Sequence, residues 1–118
     1  MKTLVLGASE NQERYSNKAI KSLLNYGHEV LAIGNKSGKV LGVKIETELQ
    51  PFTDIDTITL YLNPTHQQVY YDYIISLNPN RVIFNPGTEN PELYKLLAKN
   101  NIKYELACTL VLLATHQF

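Results

Sequence analysis

The sequence is short of cysteine, of net charge and of long apolar stretches, and each shortage removes a class of function. A single cysteine, Cys108, cannot close an internal disulfide and has no second sulfur for a structural metal site, which agrees with a reducing compartment. The 11 Lys and Arg balance the 11 Asp and Glu, so no field of one sign draws nucleic acid or an anionic membrane toward the chain. Any anion has to be held by local geometry. The apolar runs span only a few residues each, and Met1-Lys2-Thr3-Leu4 opens into a strand pattern, without the apolar core and small-residue cleavage site of a signal peptide. The expectation is a cytoplasmic protein with no membrane and no nucleic-acid partner. His28, His66 and His116 lie far apart and lack metal-ligand spacing, while Asp54 and Asp56 around Ile55 read as a solvated turn. No nucleophile, base and orienting group combine into a catalytic set.

What is present is an alternation. Across 118 residues, a length that suits one domain (1–118) with one core, no repeat, low-complexity tract or linker intervenes. Short β-type runs at Lys2–Leu6, Glu29–Ile33, Ile55–Leu62, Arg81–Phe84 and Ile102–Leu106 read as buried parallel strands. Between them, helical spacing groups Ala19, Ile20, Leu23 and Leu24 within Tyr15–Tyr26, and Val69, Tyr70, Tyr73, Ile74 and Leu77 within Thr65–Leu77. A third helix covers about Pro91–Lys99 with Leu93, Leu96 and Leu97 inward, and a last one runs from Thr109 to about Thr115. In the segment Gly38–Pro51, Val40, Leu41, Val43 and Ile45 suggest one short extra strand beside the second. The architecture expected is α/β: a Rossmann-like three-layer sandwich with a five-stranded, mostly parallel sheet and helices on both faces. With the short strand counted third, right-handed crossovers give the order third, second, first, fourth, fifth, and ligands bind where that order reverses, beside strand one.

The loop Gly7-Ala8-Ser9 to Arg14-Tyr15 follows a strand and precedes a helix, and its small residues let backbone N–H groups approach a diphosphate at the helix start. It equally fits a plain tight turn, because the second and third glycines of a G-x-G-x-x-G fingerprint are missing. Arg14 suits phosphate pairing or a solvated surface, and Ser16 suits a helix cap. After the second strand stands Gly34-Asn35-Lys36-Ser37, with no carboxylate to accept from a ribose hydroxyl and a lysine where a ribose phosphate would lie. That disfavours NAD and leaves NADP or coenzyme A; taken alone, Lys36 fits at least as well a polar loop with its ammonium in water.

The order and spacing of several short motifs add to this. Val5-Leu6-Gly7-Ala8-Ser9, Arg14-Tyr15-Ser16, Tyr26-Gly27-His28-Glu29-Val30, Gly34-Asn35-Lys36, Leu41-Gly42, Asn63-Pro64, Asn85-Pro86-Gly87-Thr88-Glu89-Asn90 and Glu105-Leu106-Ala107-Cys108-Thr109-Leu110 together resemble the small stand-alone CoA-binding domain proteins, which are similar to the CoA-binding portion of the succinyl-CoA ligase alpha subunit. The resemblance covers essentially the whole chain. It implies CoA lying across the strand ends, with Gly7, Ala8 and Ser9 facing the phosphates and Asn35 and Lys36 near the adenosine ribose. Asn63-Pro64 and Asn85-Pro86-Gly87 would then wall the pantetheine arm. The chain departs from the commoner pattern where it has Asn35-Lys36 in place of an Asn-Pro pair, and Gln12-Glu13-Arg14-Tyr15 where a proline often stands.

Cys108 sits where the last strand turns into the last helix, a position that suits packing first, and a reactive thiol or a partner for the CoA thiol second. The function expected is binding of coenzyme A or an acyl-CoA by a non-catalytic module serving as sensor, carrier or partner subunit. The alternative is an NADP-dependent oxidoreductase or a small ligase component working with a partner chain. The cluster Tyr70, Tyr71 and Tyr73 turns at least one ring outward, which suits a homodimer or partner face as well as ordinary surface.

Overall fold

In the computed structural model, which describes residues 1–118, the apolar runs become strands and the spaced stretches become helices. The strands are β1 Lys2–Leu6, β2 Glu29–Ile33, β3 Gly38–Val40, β4 Val43–Glu46, β5 Thr57–Leu60, β6 Arg81–Phe84 and β7 Lys103–Leu106. The helices are α1 Tyr15–Asn25, α2 Pro64–Gln67, α3 Tyr71–Leu77, α4 Pro91–Lys99 and α5 Thr109–Ala114. One sheet runs β3-β4-β2-β1-β5-β6-β7, with every neighbouring pair parallel except the β3/β4 hairpin.

The expected α/β sandwich and its strand order hold, but the sheet has seven strands where five were expected. At one edge, the segment read as one short strand doubles back, because Leu41 and Gly42 both take positive φ and turn it into a two-residue hairpin. At the other edge, β7 is the run read as a buried strand at Ile102–Leu106; it pairs with β6 in register from Arg81↔Lys103 to Phe84↔Leu106, but as an edge strand it leaves Lys103, Tyr104 and Leu106 exposed. The run Ile55–Leu62 is also shortened in the fold, since Ile55 and Asp56 lead into β5 and Tyr61 and Leu62 leave it for the loop.

The helix expected over Thr65–Leu77 is interrupted. Asn63 caps α2 by accepting the His66 N–H at 3.0 Å, a 3₁₀ turn then covers Gln68–Tyr70, and α3 follows. Gln67 is the cause. Wholly buried, its side-chain amide donates to the Leu62 and Thr88 carbonyls, both at 2.8 Å, so the first turn is pinned to two loops before the core face of α3 begins. The tighter 3₁₀ winding re-phases the chain, so that Tyr73 and Ile74 reach the core while Val69, expected inward, is 78% exposed. Tyr70 and Tyr71 are half-buried against the same core.

Alternation along the strands divides the interior into two layers. Leu4, Leu6, Ile33, Ile58, Leu60, Val82 and Phe84 meet α3 and α4 through Ile74, Leu93 and Leu97. Val5, Val30, Ala32 and Ile45 meet α1 and α5 through Ile20, Leu23 and Leu113. No helix is long and apolar enough to cross a membrane.

Candidate functional site

The chain leaves β1 toward β2 on one side and later inserts β5 on the other, so the loops beyond these two strands diverge and leave a cleft at the carboxyl ends. It has a volume of about 990 Å³, within the range of a nucleotide-sized ligand site. Ten of the residues singled out in the sequence line it: Gly7, Ala8, Ser9, Arg14, Tyr15, Asn35, Lys36, Asn63, Pro86 and Gly87.

Two glycines let the loops converge. Gly7 has φ +93°, and a Cβ there would press on the Tyr61 backbone at 3.0 Å. Gly34, buried beneath the cleft rather than lining it, lies so close to the Ala8 carbonyl that any Cβ would overlap it. The N–H groups of Gly7 and Ala8 both donate to the Ile33 carbonyl, at 2.9 and 3.0 Å, which ties the first loop to β2. The donors left for an anion therefore begin one residue later. The N–H groups of Ser9, Glu10, Gln12, Tyr15 and Ser16 have no partner within the chain, and the last two open α1.

The cap of α1 is Arg14, not Ser16, which is buried inside the first turn. Ser9 and Asn11 shape the loop instead: the Ser9 hydroxyl accepts the Asn11 N–H, the Asn11 side chain accepts the Glu13 N–H, and Asn17 donates to the Ser9 carbonyl, all at 3.0 Å. Arg14 is exposed on the cleft, and the Tyr15 ring beside it is 66% exposed with the Lys18 ammonium 5.1 Å from its centroid.

The opposite wall is built on Asn85. Its buried side chain donates to the Thr59 hydroxyl at 2.7 Å and the Leu60 carbonyl at 2.9 Å, and accepts the Thr109 N–H at 2.9 Å, so one amide joins β5, β6 and the start of α5. Thr88 closes the turn by donating its hydroxyl to the Asn85 carbonyl at 2.7 Å, leaving Pro86 and Gly87 at the surface of the cleft. Asn85 and Pro64 thus support the wall without lining it, and Cys108, half-buried at the head of α5, lies behind it.

Tyr61 backs the cleft from the end of β5. Burial is the main cause that pushes its phenol up to about 12; the nearby Thr109 and Thr59 hydroxyls partly offset this, and the Cys108 thiol adds to it. Its hydroxyl is buried with no partner at hydrogen-bonding geometry. Sequence reasoning missed Tyr61, together with Glu10, Asn11, Glu13, Ser37, Leu62, His66 and Thr88, which also line the cleft. Glu10, Asn11, Glu13, Ser37 and Thr88 stand within loops the sequence singles out, but none of the eight has a ligand-binding pattern of its own.

Comparison with known proteins agrees with this geometry. A family model described as CoA binding domain matches residues 1–114. A crystal structure of an uncharacterized protein superposes with a TM-score of 0.97 at 48% identity, covering 99% of this chain and 97% of the other. A conserved hypothetical protein from Pyrococcus furiosus gives 0.83 at 27% identity, with 93% and 97% covered. The dinucleotide forming acetyl-coenzyme A synthetase 1 of Ca. Korarchaeum cryptofilum, in complex with phosphate and ADP, gives 0.74 at 16% identity, a likeness of fold alone that covers 92% of this chain and 25% of the synthetase. No curated protein matches in sequence.

Proposed function

Because the chain belongs to the CoA binding domain family, we propose that its cleft binds coenzyme A or an acyl-CoA, and that it works in the cytoplasm as a non-catalytic module: a sensor, a carrier or the partner subunit of another protein. The observation that carries this reading is the set of unpaired N–H groups of Ser9, Glu10, Gln12, Tyr15 and Ser16 between β1 and the start of α1, beside Arg14. Such a set suits a diphosphate, because each donor is desolvated only when an anion arrives and the helix start adds favourable potential. Lys36 and Asn35 then meet the adenosine ribose and its phosphate, the exposed Tyr15 ring offers a stacking surface, and the pantetheine arm runs past Asn63-Pro64 and Pro86-Gly87 toward the Cys108 side. The stiffness of the Asn85 wall supports that course, since a pre-formed wall lowers the ordering cost of a long flexible arm.

Thermal unfolding with CoA, acetyl-CoA, NAD, NADP and ATP tests the ligand. A ligand at a hundredfold excess over its dissociation constant adds about 2.7 kcal/mol to the native state. CoA and acetyl-CoA are expected to raise the midpoint most. A clear shift with NAD and none with either CoA form would overturn the assignment.

A further inference from the structure

A nucleotide-binding sheet of this type reads the ribose at the end of its second strand. Here that end is Gly34-Asn35-Lys36-Ser37, which carries no carboxylate. The fold brings one there from elsewhere. Glu10, in the loop after β1, reaches the start of β3, where its Oε2 accepts the Lys39 N–H at 3.0 Å. Its side chain lies on Gly38 so closely that any Cβ at that position would overlap it. It shares the lining of the cleft with Asn35, Lys36 and Ser37. No cation neutralises it: the ion pairs of the chain join Lys2 to Glu29, Lys44 to Glu46 and Arg81 to Glu105. Beside it, the N–H groups of Asn35, Lys36 and Ser37 have no partner within the chain. A carboxylate thus shares the cleft lining with free donors and a lysine, in surroundings that would otherwise suit a phosphate.

Resting on the reading that the cleft holds the adenosine end of CoA, we infer that Glu10 is a specificity-determining residue that opposes a phosphate on the ribose while Lys36 attracts it. Like charges at close range repel, and the carboxylate is also an acceptor for an unphosphorylated ribose hydroxyl, so both effects of Glu10 favour the dephosphorylated ligand. Lys36 acts in the other direction through a charge-assisted contact. The wild-type cleft therefore discriminates only weakly between CoA and dephospho-CoA, and removing either side chain tips the balance, in opposite senses.

The test is titration calorimetry of the full chain with CoA and dephospho-CoA, for wild type, Glu10→Gln and Lys36→Ala. Glutamine keeps an acceptor oxygen for the Lys39 N–H, so the contact between the two loops survives while the charge is lost. Glu10→Gln is expected to raise the ratio of CoA to dephospho-CoA affinity about tenfold, and Lys36→Ala to lower it by about as much. A ratio that stays put or falls in Glu10→Gln overturns the inference, as does a ratio that rises in Glu10→Ala but not in Glu10→Gln, since charge would then not be the cause. If wild type binds neither CoA form, the CoA reading fails first. NADP and NAD, which differ only in a ribose phosphate, then supply the same contrast: a rise in the NADP to NAD ratio in Glu10→Gln supports the role of Glu10, and an unmoved ratio, or no binding of any of the four, overturns it.

Discussion

On the side of the sheet covered by α3 and α4, the strands contribute Leu4, Leu6, Ile33, Ile58, Leu60, Val82 and Phe84; on the side covered by α1 and α5, the alternating positions include Thr3, Thr57 and Thr59 beside Val5 and Ala32. The first layer is apolar, and in that sense dry, along its strands and holds Phe84 edge-on to Tyr94, with ring centroids 4.7 Å apart, although the Tyr94 hydroxyl is itself buried there without a partner. The second continues into polar contacts: Thr59 and Thr109 share a hydrogen bond at 2.8 Å, Asn85 donates to Thr59, and the hydroxyls of Thr3 and Tyr61 are buried without partners. Apolar packing is nearly indifferent to small shifts in angle, whereas a hydrogen bond fixes direction as well as distance. The dry layer is thus suited to holding the fold together, and the polar layer to aiming the loops that form the cleft.

Truncation in the dry layer should break the molecule most. Phe84→Ala removes a fully buried ring and is expected to cost about 3–5 kcal/mol in denaturant unfolding, leaving the ligand affinity of the folded fraction near wild type. A loss below roughly 1 kcal/mol would show that stability does not reside in that layer. Asn85→Ala should come next, at roughly 2 kcal/mol, because it strands the Thr109 N–H and the Leu60 carbonyl. Unlike Phe84→Ala, it should also weaken ligand binding, and stability loss with unchanged affinity would separate Asn85 from the cleft.

The two threonines sharpen the contrast within the polar layer. Thr59→Val discards hydrogen bonds to Asn85 and Thr109 and should destabilise by about 1 kcal/mol, while Thr3→Val discards a buried hydroxyl with no partner and should stabilise by about the same amount. Equal signs in a thermal melt would refute the distinction. The last effect is read only at alkaline pH, because near neutrality the Tyr61 phenol is protonated whether the chain is folded or not and stability does not change with its titration. Its pKa is raised from 10.0 to about 12 in the fold, so its contribution is intact below about pH 10 and is lost as the pH rises toward 12. Burial also raises the Tyr71 and Tyr73 phenols, so alkaline difference spectra should show several tyrosines ionising late with Tyr61 last, and Tyr61→Phe should remove that final step; a curve unchanged by the substitution would assign the last group elsewhere.

Much of this protein is legible from local pattern. The strands β1, β2 and β6, the helices α1 and α4, and the family itself follow from alternating apolar runs and from short motifs in order, because a period of two or 3.6 residues depends only on near neighbours along the chain. Pro91 marks the start of α4 just as plainly, and the structure adds that Asn90 caps it, the side chain accepting the Leu93 N–H at 3.3 Å. The hairpin at residues 38–46 was less legible because a three-residue strand carries too little pattern to reveal a reversal.

The cleft is divided along the same line. Composition and motif order determined that loops after the strands would carry the site, and ten of the named residues do line it. Only the tertiary structure decided that Gly7 and Ala8 spend their N–H groups on Ile33, that Asn85 braces the wall from beneath, and that Glu10 meets its partner Lys39, 29 residues away in the chain, at the start of β3. A loop residue takes its neighbours from how the loops beyond several strands converge, and that convergence depends on burial and hydrogen bonds summed over the whole chain, so no single stretch of sequence contains it.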